Sequence, residues 1–270
     1  KENEIAGAVH DRIDASWPIL AKRVRIIPEY GEMFVAAFDD IKKREQVSIV
    51  EVAEALGQFI NNEWQNFDSP YDALISDGLP LAPAAERGRQ LFFGEANCGS
   101  CHSGPLLSDQ KFHALGLPAF GPGRTRRFDP MPRDVGRMGE SDALEDAYRF
   151  KTPRLRNIAL TAPYGHNGAY PTLEGIIRHH LNPAKARAEW TRDIASLPSV
   201  PWLQEIDFVI QNDTLEMARQ AEKIDIKPVG LSDKDVSDLV AFMHALTGKT
   251  ALSRPSGVPE TVPSGLAVDR

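Results

Sequence analysis

Only two cysteines occur in the 270-residue chain, so no disulfide framework can brace it. No apolar run approaches the roughly 18 residues that a membrane-spanning helix needs. Positive charge is in deficit. The 31 Lys and Arg stand against 38 Asp and Glu, and the formal net charge of −7 argues against nucleic acid as a partner. No internal repeat is visible. Apolar content of 42% with 26% charged residues is ordinary for a globular protein of one or two domains. The chain opens on Lys1-Glu2-Asn3-Glu4, with neither an initiator methionine nor a signal peptide.

What is there begins with the two cysteines, which share one pentapeptide, Cys98-Gly99-Ser100-Cys101-His102. C-x-x-C-H is the attachment signal of a c-type haem: two thioether bonds fix the porphyrin edge and the histidine supplies the proximal imidazole. A structural zinc site needs a second Cys/His pair, and no further cysteine exists. A thioredoxin-like dithiol needs a βαβ setting, which the helical patterns do not offer. One covalently bound haem c is therefore expected. Such haems are attached outside the cytoplasm, which predicts a periplasmic protein whose leader has been removed, and a processed or partial product.

The remaining pattern predicts an all-α chain. Ile13, Trp17, Leu20, Ala21 and Val24 keep helical spacing, and Pro28 opens a second segment through Met33, Phe34 and Phe38. In 48–62, Ile49, Val52, Ala53, Leu56, Phe59 and Ile60 form a stripe expected to pack into a core. Asp77-Gly78-Leu79-Pro80 marks a boundary, giving a first domain over 1–80 and a haem domain over 81–248. A helix from about Ala84 to Phe93 leads into the haem motif, with Gly88 and Phe92 spaced to admit a second helix closely. Arg124, Arg126 and Arg127 lie in a Gly/Pro-rich loop and read as solvated, although such arginines could meet haem propionates. Thr172 caps a short helix ending near Asn182-Pro183; residues 183–229 are polar and read as an insertion. A last helix over 233–246 is capped by Ser232 with Asp235, and 249–270 reads as a tail.

The iron's sixth ligand must come from elsewhere in the chain. At about 100° per residue, Leu173, Ile176 and Ile177 share one helical face with His180 in its middle, and His179 points to one side. His180 is the expected ligand, with His179, Met131, Met138, Tyr148 or no sixth ligand as alternatives. His113 and His166 sit in Gly/Pro-containing loops, where a histidine more often bonds a backbone carbonyl; His166 before Asn167-Gly168 reads as turn chemistry.

Cys98 to His102 followed by Ser103-Gly104-Pro105-Leu106-Leu107-Ser108-Asp109, Phe112-His113 and Gly116 resembles the second haem domain of bacterial di-haem cytochrome c peroxidases, in particular their MauG-related branch. Phe150-Lys151-Thr152-Pro153, Leu155-Arg156-Asn157, Thr161-Ala162-Pro163-Tyr164, His166, Gly168 and Thr172-Leu173-Glu174 are the most specific stretch. The resemblance covers about 1–182 and 231–248. It implies two cytochrome c-like domains with one haem each, the first of them incomplete here. Hydrogen peroxide is reduced at the N-terminal haem, and electrons enter through the C-terminal haem, here on His102. A small donor, cytochrome c or cupredoxin, is implied, and a homodimer is possible in the family. The family's sixth ligand is methionine or tyrosine at the position that falls on His180. The resemblance also implies calcium on the backbone carbonyls of Thr161 and Pro163, and a distal glutamate matching Glu4 that would shuttle a proton between the peroxide oxygens. The family's first C-x-x-C-H and its inter-haem tryptophan would precede Lys1. Ala96 stands where MauG has a surface tryptophan, which weakens a MauG-like oxidation of a partner's side chain. A mono-haem electron carrier is the alternative from another class.

Overall fold

The computed structural model describes residue 5 and residues 12–121, 133–197, 201, 206–253 and 258–268. Glu4, Met131, Arg124, Arg126 and Arg127 lie outside the described residues. The chain forms two compact units: Lys1–Asn66 with Ala251–Arg270, and Phe67–Thr250.

In the first unit, α1 (Ser16–Arg25), α2 (Pro28–Ala37) and α3 (Ile49–Glu63) follow the predicted segments. Pro28 suits the first turn of α2, where its missing N–H is not needed. Ser48 starts α3 with a capping box: its hydroxyl accepts from the Val50 N–H at 3.1 Å, and Glu51 accepts the Ser48 N–H at 2.8 Å. The stripe expected to pack into a core does not do so. Leu56, Phe59 and Ile60 are 58%, 39% and 43% exposed. A unit this small has too few apolar side chains to cover every amphipathic face it presents.

The second unit contains α4 (Pro70–Asp77), α5 (Pro83–Phe93), α6 (Met138–Ser141), α7 (Leu173–Leu181), α8 (Pro183–Glu189), α9 (Thr214–Glu222) and α10 (Asp233–Ala245). A two-residue antiparallel pairing joins β1 (Phe112–His113) to β2 (Phe150–Lys151), with His113 opposite Phe150. A short helix, α11 (Lys249–Ser253), opens the segment read as a tail. Helix α4 belongs to this unit although it precedes the boundary read near residue 80. Its Tyr71 packs edge-on against Phe242 of α10, ring centroids 5.4 Å apart.

The core is the crossing of α5 and α10. Gly88 makes it possible, since a β-carbon there would lie 1.9 Å from the Asp238 carbonyl oxygen. Phe92 and Phe242 meet beside the crossing at 5.3 Å, and Arg87 binds the Asp238 carboxylate through two bonds of 2.7 Å. Within 183–229, Trp190, Phe208 and Val229 pack against the same core. Trp190 stacks on Phe120 at 5.5 Å, and the Val229 N–H donates to the Leu181 carbonyl at 2.8 Å.

Candidate haem site

Helix α5 ends at Gly94, and the chain turns through a short 3-10 segment at Cys98–Ser100. The N–H groups of Cys101 and His102 both donate to the Cys98 carbonyl, at 3.2 and 2.9 Å. This turn brings both sulfurs and the imidazole to one wall. Neither cysteine is in a disulfide. Burial pushes the Cys98 thiol up to about 11.

The His102 Nδ1–H donates to the Leu107 carbonyl at 3.0 Å, and the ring packs on Phe92. Across the cavity, the His180 Nδ1–H donates to the Ile176 carbonyl at 2.8 Å. A carbonyl can only accept, so the bonded nitrogen carries the proton in both rings and each Nε2 keeps its lone pair. Fixing one ring nitrogen on a backbone carbonyl is how proteins orient a metal-bound histidine. Burial lowers the His102 pKa to about 4 and lowers that of His180, which keeps both rings neutral as metal ligation requires.

The ring centroids of His102 and His180 are 6.5 Å apart, with the rings inclined at 56°. A metal bound to both Nε2 atoms at about 2 Å, each nitrogen about 1.1 Å from its ring centre, would place the centroids about 6.2 Å apart. The two rings therefore leave the gap that one metal ion fills. Around them lies a cavity of about 910 Å³ lined by Cys98, Cys101, Leu155, Ile177 and Met243 among others, wide enough for a porphyrin. Haem fits this donor set.

Helix α7 explains why His180 and not His179 faces the cavity. Thr172 caps it by accepting the Gly175 N–H at 3.1 Å, which sets the helical phase. His179 is fully buried and both its nitrogens are used: the Tyr170 hydroxyl donates to Nδ1 at 3.0 Å, and Nε2–H donates to the Leu115 carbonyl at 2.8 Å. Met138 packs with Val135, Ala147 and Tyr148. Tyr148 lines the cavity, but its hydroxyl donates to Glu216 at 2.6 Å.

Two histidines differ from the sequence reading. His113 bonds carboxylates and not a backbone carbonyl: its Nε2 meets Asp109 at 2.8 Å, and Asp225 lies 3.9 Å from Nδ1. His166 does sit in a turn, closed by the Tyr164 and Tyr170 bridge, yet its ring lines the cavity and stacks on Phe150 at 3.5 Å. Thr161 and Pro163 also line the cavity. Among the described residues, Cys101, Asp109 and His113 form one further group with metal-ligating atoms within 4.8 Å. Cys101 and His113 both line the cavity, so this group belongs to its wall.

Sequence reasoning missed Glu216, which is fully buried on α9 and bound by Tyr148, Arg133 at 2.9 Å and Gln220 at 3.3 Å. The one available signal was Asp213, which caps α9 and fixes where Glu216 points.

No family model matches the chain. Cytochrome c peroxidase Ccp of Escherichia coli is 40% identical over 185 residues, covering 67% of this chain and 29% of that protein. Methylamine utilization protein MauG of Methylorubrum extorquens is 26% identical over 244 residues, covering 89% of this chain and 56% of that protein. The chain belongs to the bacterial di-haem cytochrome c peroxidase and MauG family. A solved structure of a MauG-like protein associated with microbial copper homeostasis is similar to this peroxidase-family chain. Its TM-score is 0.62 at 29% identity, over 90% of this chain and 65% of that one. The chain spans about half the length of the curated relatives it matches.

Proposed function

We propose that this chain holds one c-type haem between His102 and His180 and relays electrons for the reduction of hydrogen peroxide elsewhere in a periplasmic di-haem peroxidase. The opposed imidazoles, 6.5 Å apart with both Nδ1 atoms pinned, carry this reading. Held by both histidines, a haem would supply a one-electron couple and not a site for peroxide. Cys98 and Cys101 would hold the haem covalently, His102 and His180 would ligate it, and the apolar Leu155, Ile177 and Met243 wall would keep water from it. Two imidazoles favour the ferric state more than a His/Met pair does, so the electron donor must be a small protein of correspondingly low potential. Glu4 is assigned the proton shuttle at the peroxide-reducing haem. Calcium on the Thr161 and Pro163 carbonyls, and a homodimer, complete the reading.

The test is spectroscopic. The haem-loaded chain should give one haem per polypeptide by the pyridine haemochrome assay and a low-spin ferric spectrum that peroxide and cyanide leave unchanged. A high-spin spectrum would overturn bis-histidine ligation, and two freely alkylated thiols would overturn the haem.

A second reading is favoured by the same closed coordination: the chain acts as a mono-haem electron carrier. Peroxide-dependent oxidation of a reduced cytochrome by this chain alone would exclude it. Similarity to MauG supports a third reading, oxidation of a partner's side chain, against which Ala96 counts.

A further inference from the structure

Arg187 on α8 is a cation held by neutral groups alone. Its guanidinium donates to the Gly116 carbonyl at 2.7 Å, the Leu117 carbonyl at 3.4 Å and the Met217 carbonyl at 3.3 Å. Arg87, Arg149 and Arg156 each bind an aspartate at 2.7 Å, but Arg187 pairs with no carboxylate among the described residues. Tyr170 is the ionisable side chain that acts on it, and burial pushes that phenol up to about 12, so it stays neutral. Burial also lowers the Arg187 pKa, yet a guanidinium keeps its proton in a folded protein. The place of this charge matters. Leu115, Gly116 and Leu117 form part of the wall of the cavity that His102 and His180 line, and Arg187 holds that wall from behind. Among the described residues, the other cations at the cavity are offset or screened. Glu216 offsets Arg133 at 2.9 Å, while Lys151, Arg154 and Lys227 are exposed to water. Tying a wall to α9 needs no charge, since an uncharged amide can donate to carbonyls too.

We propose that Arg187 raises the reduction potential of the bound haem by keeping an uncompensated positive charge behind the cavity wall. The proposal deepens the haem reading above and rests on it. One electron from the donor protein takes the iron from ferric to ferrous, which removes one positive charge from the cavity. No bond breaks and no proton moves, and Arg187 is charged in both states. A fixed cation nearby repels the ferric centre more than the ferrous one, so it favours reduction. Within a protein wall such a charge acts through a low dielectric, and salt screens it little. Arg187 thus opposes the pull of two imidazoles toward the ferric state. It brings donors of higher potential within reach of the chain.

The experiment is a spectroelectrochemical titration of the haem-loaded chain, so peroxide reactivity is not required. The reduction equilibrium constant should fall at least fivefold in Arg187→Gln, about 41 mV at about 59 mV per tenfold for one electron. It should fall less than twofold in Arg187→Lys, which keeps the charge and loses the guanidinium fork. The same holds for Arg154→Gln, which removes an exposed cation of the cavity. A smaller fall in Arg187→Gln, or a fall of twofold or more in either of the other two, overturns the proposal. Should Arg187→Gln fail to fold, Met217→Glu decides, since it sets a carboxylate beside the guanidinium where Met217 Sδ lies at 3.9 Å. That variant should also lower the constant at least fivefold, and a smaller fall overturns the proposal. The haemochrome assay and the low-spin spectrum of the same sample report separately whether the haem reading has failed.

Discussion

Gly88 on α5 meets the Asp238 backbone on α10 with no space for a side chain: an added β-carbon would lie 1.9 Å from the carbonyl oxygen and 2.9 Å from the Phe242 β-carbon. The contact fixes how closely the two helices cross, and through them the position of the haem motif. Gly88→Ala gains about 1 kcal/mol of helix propensity, but pushing two backbones apart costs about 3 kcal/mol or more. A net loss of about 2 kcal/mol is expected in urea unfolding. An alanine variant as stable as the parent would mean that the crossing can widen freely.

His180→Ala should convert a low-spin ferric spectrum to high-spin, because its Nε2 is the free donor opposite His102. His180→Met should stay low-spin and raise the midpoint potential. His179→Ala should leave the spin state unchanged while lowering stability, since both its bonds are to protein groups. A spin-state change in His179→Ala alone would reverse the assignment.

Stability should fall in two steps as the pH drops. Burial lowers His166 and His179 to about 4, whereas an unfolded imidazole titrates near about 6.5, so the unfolded chain takes up protons first. This contribution is complete above about pH 6.5 and is lost between about 6.5 and 4. The bond from Arg87 lowers Asp238 to about 2, and that from Arg89 lowers Glu86 to about 2. Their contribution is present above the unfolded carboxylate value near about 4 and is lost as pH falls toward 2. Urea unfolding across pH should show His166→Gln flattening the upper step and Asp238→Asn the lower. If each variant kept the parent's slope, the assignment would fail.

Glu216→Ala should cost about 3 kcal/mol, because it strips Arg133 and Tyr148 of a shared buried partner. Hydrogen exchange should quicken over α9 and not over the α5 and α10 crossing. Uniform quickening across both would mean that Glu216 supports the whole unit.

The haem motif, the caps at Thr172 and Ser232, the Gly88 contact and the direction of His180 were all legible, because each is written in spacing along a few turns of chain. The bond from Tyr148 to Glu216 and the stack of Phe120 on Trp190 were not. Their partners are 68 and 70 residues apart, and one polar side chain among many leaves no periodic trace. The α3 stripe misled for the opposite reason. Its period is genuine, but a period says that a face is apolar and not that anything covers it.

His179 and His180 are neighbours on one helix with different settings, one fastened to protein outside the helix and the other lining the cavity. Were α7 to slip by a single position, the fastened ring would turn toward the cavity and lose Tyr170 and the Leu115 carbonyl, while the bond from His180 to Ile176, internal to α7, would travel with the helix. The paired bonds of His179 thus act as a ratchet pawl on α7. Loosening them would let the metal choose between two histidines, and one protein would then yield two differently tuned centres.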